Sequence, residues 1–288
     1  MSTTVTPPDG RFSLNQATTK HWPLDELVAG CVDAGVSGVG LWREEVAAYG
    51  VPKAAALVRD AGLAVTSLCR GGFFHAAGAH DENRRAIDEA AELGAPVLVM
   101  VSGGLPPGSR DLDGARAHVG DEIGRLVPYA EAAGVRLAIE PLHPMFCADR
   151  CVVATLGQAL DLAAPYPADA VGVVVDTYHL WWDDQVWAQI ARAGEQRRIA
   201  CFQLADWITP LPAGVLLGRA LPGEGCIDLP RFVEAVDAAG YTGPVEVEVF
   251  HADVWARPGR EVLDAALAGY RALAVAPVAQ PSQSGEAR

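Results

Sequence analysis

The chain of 288 residues has no basic stripe, no paired-cysteine motif and no apolar run long enough to cross a bilayer. Each absence removes a class of function. A net charge of −14 argues against a nucleic-acid partner, whose surface normally shows clustered Lys and Arg. It also weighs against a heavily phosphorylated substrate. Cys31, Cys69, Cys147, Cys151, Cys201 and Cys226 are scattered without CxxC spacing. Neither a zinc knuckle nor a disulfide framework is expected, and reduced thiols in a cytoplasmic chain are. The opening Met1-Ser-Thr-Thr-Val-Thr-Pro-Pro8 lacks the apolar centre of a signal peptide. No membrane partner is expected. No Gly-rich phosphate loop follows the first apolar run, which disfavours an open nucleotide-binding sheet.

What is present is an alternation. Half the residues are hydrophobic, 50%, and 20% are charged, a globular balance. Short apolar runs predict strands over 12–18, 35–43, 64–69, 96–101, 135–140, 171–176, 199–204 and 245–249. Amphipathic spacing predicts helices over 24–34, 53–61, 81–93, 115–133, 156–164, 186–195, 229–239 and 261–274, the third opened by an Asp81 cap. Four helices end in the same punctuation, Asp-Ala-Gly or a close variant, at Gly35, Gly62, Gly134 and Gly240. Glycine there suits a left-handed C-cap, with a strand following within a few residues. Eight strand–helix units in one α/β chain of this length predict a single (β/α)8 barrel. The expected layout is a flexible N-terminus over 1–10, the barrel over 11–274 and a disordered tail over 275–288.

Four of the apolar runs end in an acid or an amide. Arg136-Leu-Ala-Ile-Glu140, Val171-Gly-Val-Val-Val-Asp176, Ile199-Ala-Cys-Phe-Gln203 and Gly243-Pro-Val-Glu-Val-Glu-Val-Phe250 share this design. A buried carboxylate without a partner is too costly to keep ionised. Read singly, Glu140 would pair with a neighbouring Arg or Lys, Asp176 would cap the next helix, and Gln203 would satisfy a loop. Read jointly, one divalent cation at the C-terminal rim of the barrel explains all four. Oxygen donors suit a hard cation, Mn²⁺ first, with Mg²⁺ or Co²⁺ as alternatives and zinc disfavoured. Alternation puts Glu246 and Glu248 on one face. Glu248, nearer the strand end, is the expected ligand. Glu246 would lie a layer deeper with Asn15 or Ser13 as donor, although the two glutamates could exchange roles. His179, just past Asp176, is placed to polarise a substrate oxygen. His143 has a weaker claim as a substrate contact. Trp42, Arg70, Trp181, Trp182 and Trp207 fall near strand ends, where aromatic faces suit a sugar ring or simply pack.

These residues resemble the xylose-isomerase-like TIM-barrel superfamily of sugar isomerases and epimerases. The matching pieces are Leu137-Ala-Ile-Glu-Pro141, Val175-Asp-Thr-Tyr-His179 and Phe202-Gln-Leu-Ala-Asp206. The most specific is Leu221-Pro-Gly-Glu-Gly-Cys-Ile-Asp-Leu-Pro230, followed by Gly240-Tyr-Thr-Gly-Pro244 and the strand to Glu248. The resemblance spans about residues 12–273. It implies Glu140, Asp176, Gln203 and Glu248 as metal ligands, supporting Glu248 over Glu246. It further implies Glu140 and Glu248 as acid and base, and His179 as a substrate contact. Trp42, Arg70, His143 and Trp207 are the other substrate-side candidates. Many ketose epimerases of the superfamily carry His where Gln203 stands; the Gln resembles hydroxypyruvate isomerases and some dehydratases. The implied activity is isomerisation or epimerisation of a carbohydrate or cyclitol ketone through a metal-bound enediolate, with a homo-oligomer allowed. A dehydratase or carbon-glycoside lyase is the rival enzyme, and a non-catalytic sugar-binding protein the rival of another class.

Overall fold

Strands without polar alternation must be covered on both faces, and a barrel wrapped in helices does this. The computed structural model describes residues 8–275. The strands are β1 (Phe12–Asn15), β2 (Gly38–Trp42), β3 (Ala64–Gly72), β4 (Val97–Val101), β5 (Arg136–Ile139), β6 (Val171–Asp176) and β7 (Ile199–Leu204). A small antiparallel hairpin follows, β8 (Asp206–Trp207) with β9 (Arg219–Ala220), and then β10 (Val245–Val247). The barrel closes in the order β1-β10-β7-β6-β5-β4-β3-β2, with parallel pairing throughout. The expected single (β/α)8 barrel is therefore the observed architecture.

The outer layer contains helices Leu24–Asp33, Val51–Asp60, Ala79–Leu93, Leu112–Ala133, Leu156–Ala163, Val186–Glu195, Leu229–Ala238 and Gly259–Val275. The four punctuating glycines adopt the left-handed conformation, with φ of 71° at Gly35, 74° at Gly62, 71° at Gly134 and 83° at Gly240. The larger apolar core lies between strands and helices. A second, small-residue core of Cys69, Val97, Val99, Ala138, Val174 and Cys201 fills the barrel interior. Small side chains there leave room for charged groups at the rim. Gly40 is the sharpest case: a Cβ at this position would lie 2.5 Å from the carboxyl carbon of Glu246.

Several boundaries differ from expectation. The third outer helix starts at Ala79 with Gly78 as its cap, so Asp81 sits in the first turn and does not cap it. There its charge favours the positive helix end. β1 stops at Asn15, whose Oδ1 accepts from Ala17 N at 2.9 Å and turns the chain into a 3-10 segment, Gln16–Thr19. Arg43–Tyr49 is an additional helix after β2. Residues 8–10 belong to the 3-10 segment Pro8–Arg11, and the last helix includes Val275; the rest of the expected terminal segments, 1–7 and 276–288, lies outside the described residues. No helix among the described residues is long and apolar enough to cross a membrane.

Candidate metal centre and active site

Register sets which side chains meet. Gln203 pairs with Glu246 and Glu246 with Ser13, so these three stand at one level of the barrel. Asp176, the partner of Gln203 at the end of β6, instead has its carboxylate on Arg219, the arginine it shares with Glu248. Glu248, two residues beyond Glu246, rises above that level, and Glu140 immediately follows β5. Glu140, Asp176, Gln203, Glu246 and Glu248 are all buried.

The deeper carboxylate is satisfied by neutral donors. Glu246 Oε1 accepts from Asn15 Nδ2 at 2.7 Å and from Gln203 Nε2 at 2.9 Å. Its Oε2 accepts from Thr66 Oγ1 at 2.9 Å and Ser67 Oγ at 2.8 Å. Asn15 is thus the donor expected from sequence, while Ser13 bonds Thr66 at 2.7 Å.

The upper level is different. Arg219 Nη1 reaches Asp176 Oδ2 at 3.1 Å and Glu248 Oε2 at 2.9 Å. Asp176 Oδ1 also accepts from Tyr178 N at 2.8 Å, so this residue both caps a short helix and faces the site. The anticipated arginine partner therefore exists, but for Asp176 and Glu248 rather than Glu140. No side chain among the described residues donates a hydrogen bond to the Glu140 carboxylate. Three buried carboxylates, Glu140, Asp176 and Glu248, meet one buried guanidinium. With all three ionised, two negative charges would be left over.

The titration directions follow from that surplus. Burial, then Glu248 and Asp176, push Glu140 well above the usual carboxylate range. Burial pushes Glu248 up to about 7, although Arg219 opposes the rise. Burial raises Asp176 as well, again against Arg219. Burial pulls Arg219 down, but Asp176, Glu248 and Glu140 outweigh it and the net shift is upward.

Two ligand-sized clusters emerge. Glu140, Asp176 and His179 have ligand atoms within 4.8 Å of one another, as do Cys69, Glu246 and Glu248. Gln203 commits its amide nitrogen to Glu246, leaving its buried Oε1 without a partner. An orphaned acceptor beside underpaired carboxylates fits a cation. The four expected ligands do not form one cluster: Glu140 and Asp176 group with His179, Glu248 groups with Cys69 and Glu246, Gln203 adjoins Glu246, and Arg219 bridges Asp176 and Glu248.

His179 is fully buried and held well below its ordinary pKa by burial, Arg219 and His143, so its ring is neutral. Its Nδ1 lies 3.2 Å from His143 N. Its Nε2 lies 3.0 Å from Arg219 Nη2, which can only donate, so the neutral ring accepts at Nε2 or at Nδ1 but not at both.

A cavity of about 120 Å³ opens above these groups, bounded by Glu140, His179, Arg219, Glu248, Trp42 and Arg70, among others. Trp42 Nε1 donates to Asn15 Oδ1 at 2.8 Å, and its ring meets Phe250 edge-on. His143 and Trp207 do not bound this cavity; their rings pack 5.3 Å apart beside the site. Trp182 and Trp181 join the same aromatic group, against His143 and Trp207 respectively.

Arg219 went unread in sequence. It sits on β9, two residues before the Leu221-Pro-Gly-Glu-Gly225 motif, and that proximity was its only signal. Asp206 on β8 fixes the loop beyond it, accepting from the backbone N–H groups of Gly223, Gly225 and Ile227 at 3.1, 2.9 and 2.9 Å.

Comparison with known proteins now adds context. A family model described as xylose isomerase-like TIM barrel matches residues 28–272. An inosose isomerase of Bacillus subtilis (strain 168) is 28% identical over 149 residues, 51% of each chain. A 3-dehydroshikimate dehydratase of Pseudomonas aeruginosa is 32% identical over 182 residues, 61% of this chain and 27% of that protein. The chain thus matches about half the length, or less, of these curated relatives. Among solved structures, protein SMc04130 from Sinorhizobium meliloti 1021 superposes with a TM-score of 0.89 at 46% identity, covering 93% of this chain and 99% of that one. The IOLI protein, solved with a bound zinc atom, shares the fold at a TM-score of 0.76 and 21% identity, over 91% of this chain and 97% of that one.

Proposed function

This chain belongs to the xylose isomerase-like TIM-barrel family, and from that premise we propose that it is a divalent-metal-dependent isomerase or epimerase of a keto-sugar or related polyol ketone. The observation that carries the reading is the charge surplus at the rim: three buried carboxylates and an unpartnered amide oxygen against one guanidinium. A divalent cation neutralises a surplus of two. Glu140, Asp176, Gln203 and Glu248 would hold it. When bound, the cation polarises the substrate carbonyl and acidifies the adjoining C–H.

The protein groups supply the rest. Glu140, which has no donor of its own, would be held ionised beside the bound cation and take the proton from one face of the substrate. Glu248, on the other side of the site, would give one back. Their order of action sets the direction of the reaction. Return to the same carbon from the other face is epimerisation; return to the neighbouring carbon is isomerisation. His179 and Arg219, bonded to each other at the cavity wall, would stabilise negative charge as it develops on the substrate oxygen. The oxygen donors favour Mn²⁺. Zinc is the second candidate, because a protein of the same fold was solved with zinc and because His179 lies within ligand distance of Glu140 and Asp176.

A lyase is the second reading, favoured by the similarity to a 3-dehydroshikimate dehydratase. It would share the proton removal and then expel a β-hydroxyl. The test is solvent deuterium exchange into a panel of keto-sugars and keto-cyclitols with Mn²⁺ or Zn²⁺, followed by NMR and mass. Deuterium at the carbon beside the carbonyl with unchanged product skeleton supports the isomerase. Loss of one water supports the lyase. Tight binding of a ligand without any exchange would instead indicate a sugar-binding protein.

A further inference from the structure

Three arginines bound the catalytic cavity, Arg70, Arg150 and Arg219, and they are not equivalent. Arg219 is spent on Asp176 and Glu248. Arg70 and Arg150 have no carboxylate within ion-pair distance among the described residues. Arg70 lies with its guanidinium 4.1 Å from the centre of the Phe73 ring, which fixes its plane without neutralising its charge. Arg150 is close enough for its charge to oppose that of Arg70. Glu44 and Glu140 act on Arg70 only at a distance.

Arg70 and Arg150 are half-buried and line the same cavity as Glu140 and Glu248, so an anionic group of a ligand is favoured on the arginine side and disfavoured beside the glutamates. The chain as a whole is strongly acidic, with a net charge of −14, so an uncommitted arginine pair here is not a general surface property. Position in the barrel gives the pair a direction. Arg70 stands near the end of β3, and Arg150 follows β5. Asp176, Gln203 and Glu248 stand on β6, β7 and β10, across the mouth in the strand order.

We infer that Arg70 and Arg150 form an anion subsite, so that the substrate is a polyol ketone bearing a carboxylate, anchored on the β3–β5 arc with its reacting carbons toward Glu140 and Glu248. This rests on the site proposed above as catalytic. A carboxylate suits the pair because two guanidinium forks can grip its planar oxygens. A phosphate dianion suits it less, since the cavity is small, about 120 Å³, and Glu140 borders the same space.

The test uses two unreactive cyclohexane polyols, quinate, which has a carboxylate, and myo-inositol, which has none. Each is titrated calorimetrically into the full chain at low salt. Quinate is expected to bind about tenfold tighter or better, the scale of one charge-assisted contact. Arg150→Gln and Arg70→Gln should each remove about fivefold or more of that preference. Their melting temperatures and inositol affinity should stay at the wild-type values. Equal affinity for the two polyols, including no detectable binding of either, overturns the inference. So does a quinate preference that survives both substitutions, or inorganic phosphate binding tighter than quinate. Neither probe is a ketone, so selectivity is read without turnover. Failure of deuterium exchange would remove the isomerase reading and leave this result standing.

Discussion

Glu246 and Glu248 stand two residues apart, at the end of one strand, and both are buried. The first accepts hydrogen bonds from Asn15, Thr66, Ser67 and Gln203, all neutral. The second shares one arginine with Asp176 and faces an unpaired Glu140 across the cavity. The same side chain is thus completed by the fold at one level and left incomplete at the next. A carboxylate finished by neutral donors contributes to structure. One left short of positive charge is available for a cation and for protons. Gln203 gives its nitrogen to Glu246, which leaves its buried oxygen without a partner.

The largest expected effect separates the two glutamates by activity. Glu248→Gln should lower turnover at least about a thousandfold, the scale of a lost acid–base group, with little change in melting temperature. Wild-type exchange rates in that variant would erase the distinction. Glu246→Ala should do the converse to stability. It strands buried donors of Asn15, Ser67 and Gln203, and should cost about 3 kcal/mol in urea denaturation. A loss within experimental error would mean that the lower level is not structural.

Gly40→Ala tests the space around the same group. Its new Cβ would fall 2.5 Å from the Glu246 carboxyl carbon, so a destabilisation of about 1–3 kcal/mol is expected from overpacking. A pH dependence of the metal-free chain is expected on a similar scale. Glu248 is raised from 4.5 to about 7 on folding. A raised acid stabilises the fold fully below pH 4.5 and loses that contribution as pH climbs through about 7. Melting in chelator should therefore fall by a few degrees across that window. Added Mn²⁺ should reverse the loss, more strongly at the upper end. A flat profile in chelator would contradict the assigned burial of Glu248.

The barrel was legible because its strands are uninterrupted apolar runs and its helices end in glycines that need a left-handed conformation. The rim acids were legible because each ends such a run. What escaped had no such contrast. Arg219 lies on a two-residue strand inside a connection that carries no periodicity, and only folding of the β8–β9 hairpin brings it onto Asp176. Arg150 sits in a turn after Pro144–Phe146, where an arginine reads as a solvated charge. The partner of Glu246 is a matter of register, and pairing Glu246 with Gln203 cannot be deduced from either strand alone. The misplaced Asp81 cap has a similar cause: the Gly78–Ala79 start is set by the preceding turn, although aspartate is the stronger local signal.

The central claim is that the upper level is completed by one cation. Calorimetric titration of the metal-stripped chain with Mn²⁺ and Zn²⁺ measures this directly. The account predicts one site per chain, lost in Glu140→Gln and in Asp176→Asn. Absence of binding for both metals, or binding that is indifferent to these substitutions, would contradict it.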